Sequence, residues 1–363
     1  MRVVLAISLS MFSLAAMADI SSMYHESFSG KPGLNNSVLS DGKLHLYLCG
    51  TGVPQVTMQA VRKPACLAAI ADEQFMLFDA GDGAVQTLGE MSLPFHQIQR
   101  VFLTHLHSDH MSGLGEIMNG SWHSGRTNPI TVYGPYGTAA MMDGWRAAYQ
   151  ADILYRSIGG NGVLQPSLAL GNPVEISATN EAKRVYQGKN LTVSVFKVDH
   201  QPVFPAFGYI IEYKNCKIVV SGDTKVDASL ANNSKNADVL ISEAVSHPLY
   251  ESVENQLKAE KANEATIAFA NQIFNYHADS WALAEMAEAS QVKQLVLTHL
   301  LPAIPTDEAS LNSFKEGMAT YYNKPITVAN DRDEIIIQSD GKNPCQVSYV
   351  RSPPESVPVL KVR

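Results

Sequence analysis

The segment that most constrains this chain is Thr104–His110, which reads Thr-His-Leu-His-Ser-Asp-His directly after a short apolar run. In extended backbone His105 and His107 point to the same side, and the turn that follows lets Asp109 and His110 face the same space. Imidazoles and a carboxylate so closely spaced are typical ligands of a borderline-soft divalent cation such as zinc. One catalytic ion needs fewer ligands, so the segment predicts a site for two metal ions.

Three further apolar runs also end in side chains of the metal-binding type. VFKVDH ends on His200, VVSGD ends on Asp223, and LVLTH ends on His299. Taken alone, His200 is more often an ordinary core or surface histidine, and Asp223 reads equally well as a turn or cap residue. Together, four runs deliver ligands at their carboxyl ends, which is how a rigid scaffold assembles a two-metal site.

Apolar runs at strand and helix spacing alternate along the chain and predict an α/β fold. Strands are predicted at residues 43–48, 65–71, 75–78, 101–103, 130–133, 191–198, 208–213, 217–220, 239–241, 294–297, 326–328 and 334–337. Helices are predicted at residues 84–91, 255–273 and 280–290. No linker-like stretch interrupts the pattern, so we expect one domain over residues 43–341. A polar surface arm (residues 19–42) precedes it, and a Pro-rich tail (residues 342–363) follows it along the surface.

Residues 1–18 have the three-part pattern of a secretory signal peptide. Arg2 gives a basic start, an apolar run follows, and Ala16-Met17-Ala18 forms a small-residue cleavage site, so cleavage is expected after Ala18. The apolar run is too short to span a membrane comfortably, and no cysteine follows it for lipid attachment. We therefore expect a periplasmic or secreted protein with no membrane anchor after cleavage.

The four cysteines lie at positions 49, 66, 216 and 345 and contain no C-x-x-C pair, which disfavours a thiolate zinc site. In an oxidising compartment some of them would pair. Cys49 and Cys66 lie in neighbouring predicted strands and are the favoured bridge. Four small buried thiols are the equal alternative.

The net charge of the chain bears on whether nucleic acid is a partner. Lys and Arg number 27 against 35 for Asp and Glu, which gives a formal net charge of −8. Nucleic-acid binding needs a basic surface, so nucleic acid is not expected as the main partner. The sequence leaves the oligomeric state open, a homodimer included.

A set of ordered motifs resembles the metallo-β-lactamase superfamily, and most closely the branch that holds tRNase Z and the zinc-dependent arylsulfatases. The resemblance extends over residues 44–337 and implies an αββα four-layer sandwich. The motifs are LYLCGTGVPQ (Leu46–Gln55), LFDAGDGA (Leu77–Ala84), FLTHLHSDHMSGL (Phe102–Leu114), VYGPYG (Val132–Gly137), VDHQPVFPAFGY (Val198–Tyr209), VVSGDT (Val219–Thr224), ISEAV (Ile241–Val245), YHADS (Tyr276–Ser280) and VLTHL (Val296–Leu300).

The resemblance implies a ligand set for two zinc ions. A hydroxide held between the ions would attack the substrate ester, because two cations make a bound water acidic. Asp223 would bridge both ions. The first ion would bind His105, His107 and His200, and the second would bind Asp109, His110 and His299.

The resemblance also implies catalytic residues beside the metal ions, and these are Asp109, Glu243 and His277. Glu243 would orient His277, which would donate a proton to the leaving oxygen or bind a substrate oxygen. Without the resemblance, Glu243 reads as a cap or surface acid and His277 as an ordinary histidine. Asp79 corresponds to a structural aspartate that orients a ligand from beneath the site.

The activity implied by the resemblance is zinc-dependent hydrolysis of a small anionic ester, with a sulfate ester first, as in the arylsulfatases. A phosphodiesterase is the alternative, because phosphoryl and sulfuryl transfer need similar charge stabilisation. A lactonase or other carboxylic-ester hydrolase is a third reading, and a metal-dependent binding module is the non-enzymatic one. Hydrolysis of β-lactams is disfavoured, since Asp223 with the His277 and Glu243 pair suits tetrahedral phosphorus or sulfur.

Two departures from tRNase Z bear on the substrate. Gly208 and Gly222 are 14 positions apart, which leaves room for a hairpin and none for the long tRNA-binding arm of those enzymes. Residues 138–190 form a longer stretch instead. We expect it to line the substrate pocket, with Arg156 as an anion contact, or else to be a helical decoration.

Overall fold

The computed structural model describes residues 34–54, 62–160 and 162–353. The predicted signal peptide with its cleavage site, the first part of the predicted arm, Gln55 of the first motif and the last part of the predicted tail lie outside these residues. Within the described residues, no helix combines the length and the apolar character needed to cross a bilayer.

The described residues form strands and helices in alternation. Strands β1 to β15 cover Leu44–Gly50, Cys66–Ala71, Gln74–Phe78, Arg100–Phe102, Thr131–Gly134, Asn172–Glu175, Lys183–Gln187, Leu191–His200, Val203–Tyr213, Cys216–Val220, Val239–Val245, Leu295–Leu301, Ile326–Val328, Glu334–Gln338 and Gln346–Val350. Helices α1 to α9 cover Ala84–Glu90, Ser108–Met111, Leu114–His123, Thr138–Gly159, Ala228–Ser234, His247–Ala259, Glu264–Asn271, Ser280–Ala289 and Glu308–Phe314.

The strands form two mixed sheets. The first has the order β15-β14-β1-β2-β3-β4-β5-β6, and the second has the order β13-β12-β11-β10-β9-β8-β7. Apolar side chains from both sheets, such as Leu46, Phe78, Tyr209 and Ile241, fill the space between them. Helices α1, α3 and α4 cover the outer face of the first sheet, and α5, α8 and α9 cover that of the second. The chain therefore has the αββα sandwich that the sequence predicts.

The direction of the strands brings the candidate site residues to one end of the sandwich. In the second sheet β10, β11 and β12 are parallel, and β8 runs in the same direction because β9 is antiparallel to both β8 and β10. In the first sheet β3, β4 and β5 are parallel. Residues that follow these strands therefore collect where their carboxyl ends meet.

Several elements differ from the sequence prediction, and three of the differences change predicted boundaries. The helix predicted over residues 255–273 is two helices, α6 and α7, because Lys261 takes a positive φ of 58° and Asn263 caps the next helix at Thr266. The predicted tail contributes β15, which pairs with β14, so the first sheet extends beyond residue 341. The predicted arm enters the core through Val38 and Leu39.

All four cysteines are paired, so the alternative of four buried thiols is wrong. Cys49–Cys66 joins β1 to β2, as the sequence favours. Cys216–Cys345 joins the start of β10 to the segment before β15, across a sequence separation of 129 residues. The second bridge fastens the end of the described chain to the opposite sheet.

A buried histidine ties the ends of β1 and β14 together, and it makes stability depend on pH. His45 Nδ1 lies 2.6 Å from Glu334 Oε1, and His45 Nε2 lies 3.1 Å from Asp41 Oδ2. Burial lowers the pKa of His45, but the hydrogen bonds to Glu334 and Asp41 raise it more, so the net pKa is above its ordinary value. The stabilisation is therefore full below about pH 6.5 and is lost as pH rises through the raised pKa.

We expect His45→Gln to lower the free energy of unfolding by about 2 kcal/mol at pH 6, the scale of a charge-assisted hydrogen bond. The loss should be smaller at pH 9, where the wild-type imidazole is neutral. Urea denaturation of both proteins at the two pH values checks this. An equal loss at both would show that His45 acts by packing alone.

Candidate metal centre

The first ligand group joins the loop after β4 to the ends of two strands of the other sheet. Single ligand atoms from His105, His107, His200 and Asp223 all lie within 4.8 Å of one another. His105, His200 and Asp223 are buried, whereas His107 is exposed at the rim. The sequence places each of these residues at or just after the carboxyl end of a strand, and the structure brings them together.

The second ligand group lies beside the first. It consists of Asp109, His110 and His299, whose ligand atoms also fall within 4.8 Å. His299 Nε2 lies 3.2 Å from Asp109 Oδ2 and 3.3 Å from His110 Nε2. Asp109 and His110 lie in α2, which begins at Ser108, and both are buried.

Asp223 lies between the two groups. Its Oδ2 atom is 3.9 Å from Nε2 of both His105 and His200. The same oxygen is 3.3 Å from Nε2 of both His110 and His299. One carboxylate thus faces both groups, the position that a bridging ligand requires.

The protonation of the first ligand group suits metal ligation, whereas in the second group the carboxylates of Asp223 and Asp79 outweigh burial and raise the pKa of His110. Burial, with the charge of His110, lowers the pKa of His105 well below its ordinary value, and burial lowers that of His200. Burial raises the pKa of Asp223, but the histidines that face it outweigh burial and hold that pKa well below its usual range. Neutral imidazoles and an ionised carboxylate are the forms that bind metal ions.

A buried nitrogen atom without a hydrogen-bond partner also indicates a metal site. His200 Nε2 is buried without a hydrogen-bond partner among the described residues, and it is directed at this cluster. A buried polar atom without a partner is costly, and a cation removes that cost. Nitrogen and oxygen donors in two adjoining groups therefore fit divalent ions of the zinc type.

Asp79 holds the histidine loop (Thr104–His110) from beneath. Its carboxylate accepts hydrogen bonds from the backbone N–H of Thr104 at 2.8 Å and from Thr104 Oγ1 at 2.8 Å. His110 Nδ1 donates to Asp79 Oδ2 at 2.7 Å, which leaves Nε2 for the ligand cluster. Asp79 thus has the orienting position that the resemblance implies.

A backbone carbonyl performs the same task for His200, and sequence reasoning missed it. His200 Nδ1 donates to the carbonyl oxygen of Tyr276 at 2.8 Å, which directs Nε2 at the cluster. A carbonyl acceptor has no side-chain signature, so only the position of Tyr276 in the YHADS motif marks it.

Glu243 and His277 form the pair that the resemblance implies. His277 Nδ1 lies 2.8 Å from both carboxylate oxygens of Glu243, and the backbone N–H of Thr224 donates to Glu243 Oε1 at 2.6 Å. Burial and the charge of Asp223 raise the pKa of Glu243, and burial lowers the pKa of His277. Since Nδ1 is occupied, Nε2 is the ring nitrogen left to serve a substrate.

The structure does not bring Arg156 to the site. Arg156 Nε bonds to Asp152 within α4. A Cβ on Gly137, at the other end of this helix, would lie 3.0 Å from Leu106 Cδ1 in the histidine loop. Arg156 is 19 residues further on, about 28 Å at 1.5 Å per residue. The first turn of α4 is therefore the part of the helix nearest the histidine loop, and Arg156 is near its far end.

Comparison with known proteins identifies the family of the chain. The family model "Beta-lactamase superfamily domain" matches residues 75–300, more than half of the chain. A ribonuclease Z of Mycobacterium sp. (strain KMS) is 30% identical over 291 residues, which cover 79% of this chain and 94% of that protein.

Two solved structures share the fold. Human tRNase Z, short form, superposes with a TM-score of 0.51 at 21% identity and covers 80% of this chain and 98% of its own. A diphosphatase from the PhnP family superposes with a TM-score of 0.54 at 15% identity and covers 81% and 97%. The chain belongs to the metallo-β-lactamase superfamily of metal-dependent hydrolases, with relatives of the ribonuclease Z type.

Proposed function

We propose that this protein is a two-zinc phosphodiesterase that acts on small substrates. The observation that carries the proposal is the position of Asp223, whose single Oδ2 atom faces both ligand groups beside the His277–Glu243 pair. His105, His107 and His200 would hold one ion, Asp109, His110 and His299 the other, and Asp223 both.

The residues around the ions have separate tasks in this reaction. When bound, two Zn²⁺ ions supply Lewis-acid charge for the phosphoryl oxygens and lower the pKa of a water molecule. Because burial and the charge of Asp223 raise the pKa of Glu243, its carboxyl group keeps a proton and donates it to His277 Nδ1. His277 then carries its own hydrogen on Nε2, gives that proton to the leaving oxygen and takes up the Glu243 proton at Nδ1. Asp79 and the Tyr276 carbonyl keep His110 and His200 in place, so the cage is already formed when substrate arrives.

The relatives support the type of ester that we propose, and the fold supports a small substrate. A ribonuclease Z acts, by its name, on RNA, whose linkages are phosphodiesters. We therefore place a phosphodiester ahead of the sulfate ester that the resemblance put first. Lys214–Asn215 alone joins β9 to β10, which leaves no place for a tRNA-binding arm there. A net charge of −8 also favours a small anionic ester over nucleic acid.

We also propose that the protein works outside the cytoplasm, in the periplasm or secreted. The signal-peptide pattern of residues 1–18 is the basis for this proposal. Two disulfides add support, because disulfides persist in oxidising compartments.

A substrate panel tests the proposed function. The purified, zinc-loaded chain should hydrolyse bis-p-nitrophenyl phosphate faster than p-nitrophenyl sulfate, and both faster than p-nitrophenyl acetate, all followed by release of p-nitrophenolate. Faster sulfate turnover would restore the arylsulfatase reading, and faster acetate turnover would favour a carboxylic-ester hydrolase. No turnover of any ester would leave the binding module as the better account.

A further inference from the structure

The residue that leads into the histidine loop is bound from the opposite sheet. Leu103 follows β4 of the first sheet, and its carbonyl oxygen accepts a hydrogen bond from the hydroxyl of Tyr209 at 2.7 Å. Tyr209 lies on β9 of the second sheet. This bond joins the two sheets two residues before His105, and the site described above assigns it no task.

The Tyr209 ring is held by the core between the sheets. It is fully buried, and the rings of Phe78 and Phe102 pack against it edge to face, with centroids 5.5 and 5.6 Å away. Burial, with the charge of Asp79, raises the pKa of Tyr209 well above its ordinary value, so the hydroxyl keeps its proton and remains a donor. A packed ring with one buried donor fixes the position of the carbonyl group that it binds.

The same strand also binds the next residue of the loop. The backbone N–H of Phe207 on β9 donates to the carbonyl oxygen of Thr104 at 2.9 Å. Two successive carbonyl groups, those of Leu103 and Thr104, are therefore bound by β9. Because two adjacent peptide units are held, the direction in which the chain enters His105 is fixed.

Close packing connects this part of the loop to the segment that carries Asp223. Gly222 directly precedes Asp223 and takes a positive φ of 61°. A Cβ on Gly222 would lie 2.4 Å from the carbonyl oxygen of Phe207 and 3.0 Å from Thr104 Cβ. The loop, β9 and the end of β10 are thus in contact, so the separation of His105 from Asp223 depends on where β9 holds the loop.

We propose that Tyr209 is a positioning residue for the metal centre, whose hydroxyl fixes the start of the histidine loop and thereby raises the affinity of the site for zinc. The proposal rests on the two-zinc site of the function proposed above, but it does not depend on the class of ester. Groups that orient metal ligands from behind contribute about tenfold to a hundredfold in metal affinity. The reason is that ligands already held in place need no ordering when the ion binds.

Tyr209→Phe tests the proposal, because it removes one oxygen atom and keeps the packed ring. Competition with a chelator for zinc, on the full chain without substrate, should show an affinity about tenfold lower than that of wild type. The free zinc concentration that gives half-maximal turnover of bis-p-nitrophenyl phosphate should rise by the same factor. Excess zinc should restore turnover to near the wild-type rate, since the bound ions and their ligands are unchanged.

Tyr213→Phe is the matched control. Tyr213 lies about 13 Å further along β9 on the same face, is also fully buried, and its hydroxyl donates to the carbonyl oxygen of Gly42 at 2.8 Å. Urea denaturation of the metal-free proteins should show a loss of stability in both variants, whereas only Tyr209→Phe should bind zinc more weakly.

The proposal is overturned if Tyr209→Phe binds zinc as tightly as wild type does, or if Tyr213→Phe weakens zinc binding to the same extent. The chelator competition contains no ester, so its result is independent of the substrate panel that tests the proposed function.

Discussion

Asp223→Asn should reduce the turnover of bis-p-nitrophenyl phosphate by at least about a thousandfold. The carboxylate oxygen that faces His105, His200, His110 and His299 would become part of a neutral amide, which is a poor bridge between cations. Charge stabilisation by bound metal ions is worth several kcal/mol, and each 1.36 kcal/mol is tenfold in rate. Initial rates at saturating substrate check the prediction.

Asp238→Asn is the control for this change. Asp238 is also a buried aspartate and directly precedes β11, but it pairs with Lys293 and with the backbone N–H of Lys217. Its loss should lower stability and leave the rate of the folded enzyme near that of wild type. A comparable loss of rate in both variants would mean that the effect of Asp223 is structural.

His277→Ala should have an effect that depends on the leaving group. Proton donation by a positioned side chain is worth about a hundredfold to ten-thousandfold, but a weakly basic leaving oxygen such as p-nitrophenolate needs little of it. The loss of kcat should therefore be small for bis-p-nitrophenyl phosphate and at least about a hundredfold for diphenyl phosphate. Colorimetric and chromatographic assays of the two substrates measure the ratio.

Two further variants separate proton donation from packing. Glu243→Gln should show the same dependence on leaving group more weakly, since Glu243 orients the His277 ring. His247→Ala should show none, although His247 also bonds to a carboxylate through Nδ1, that of Asp279. Equal losses for both leaving groups in His277→Ala would assign this residue to substrate binding.

The meeting of the candidate ligands in one cluster could be predicted, because each of them stands at or just after a strand that the sequence pattern marks. His105, His200, Asp223 and His299 all stand at or just beyond apolar runs. The direction of those strands then determines that their carboxyl ends meet. The local sequence around Glu243 is ordinary and does not indicate a role for this residue. Only the resemblance of the ordered motifs to the family pairs it with His277.

The features that the sequence did not reveal depend on contacts between distant segments. Strands β6 and β7 are short and largely exposed, so their residues lack the alternation that marks a half-buried strand. Cys216 and Cys345 are 129 positions apart, so no local sequence pattern indicates that they pair. The sequence does not show where the helix that carries Arg156 lies, and so leaves open an anion contact or a helical decoration; the structure carries Arg156 away from the histidine loop and pairs it with Asp152.

The central claim is that the two ligand groups hold two metal ions on either side of Asp223. Anomalous diffraction at the zinc edge, on crystals of the zinc-loaded chain, tests it most directly. The account predicts two peaks, one among His105, His107 and His200 and one among Asp109, His110 and His299. A single peak, or peaks that leave Asp223 without a metal neighbour, would contradict it.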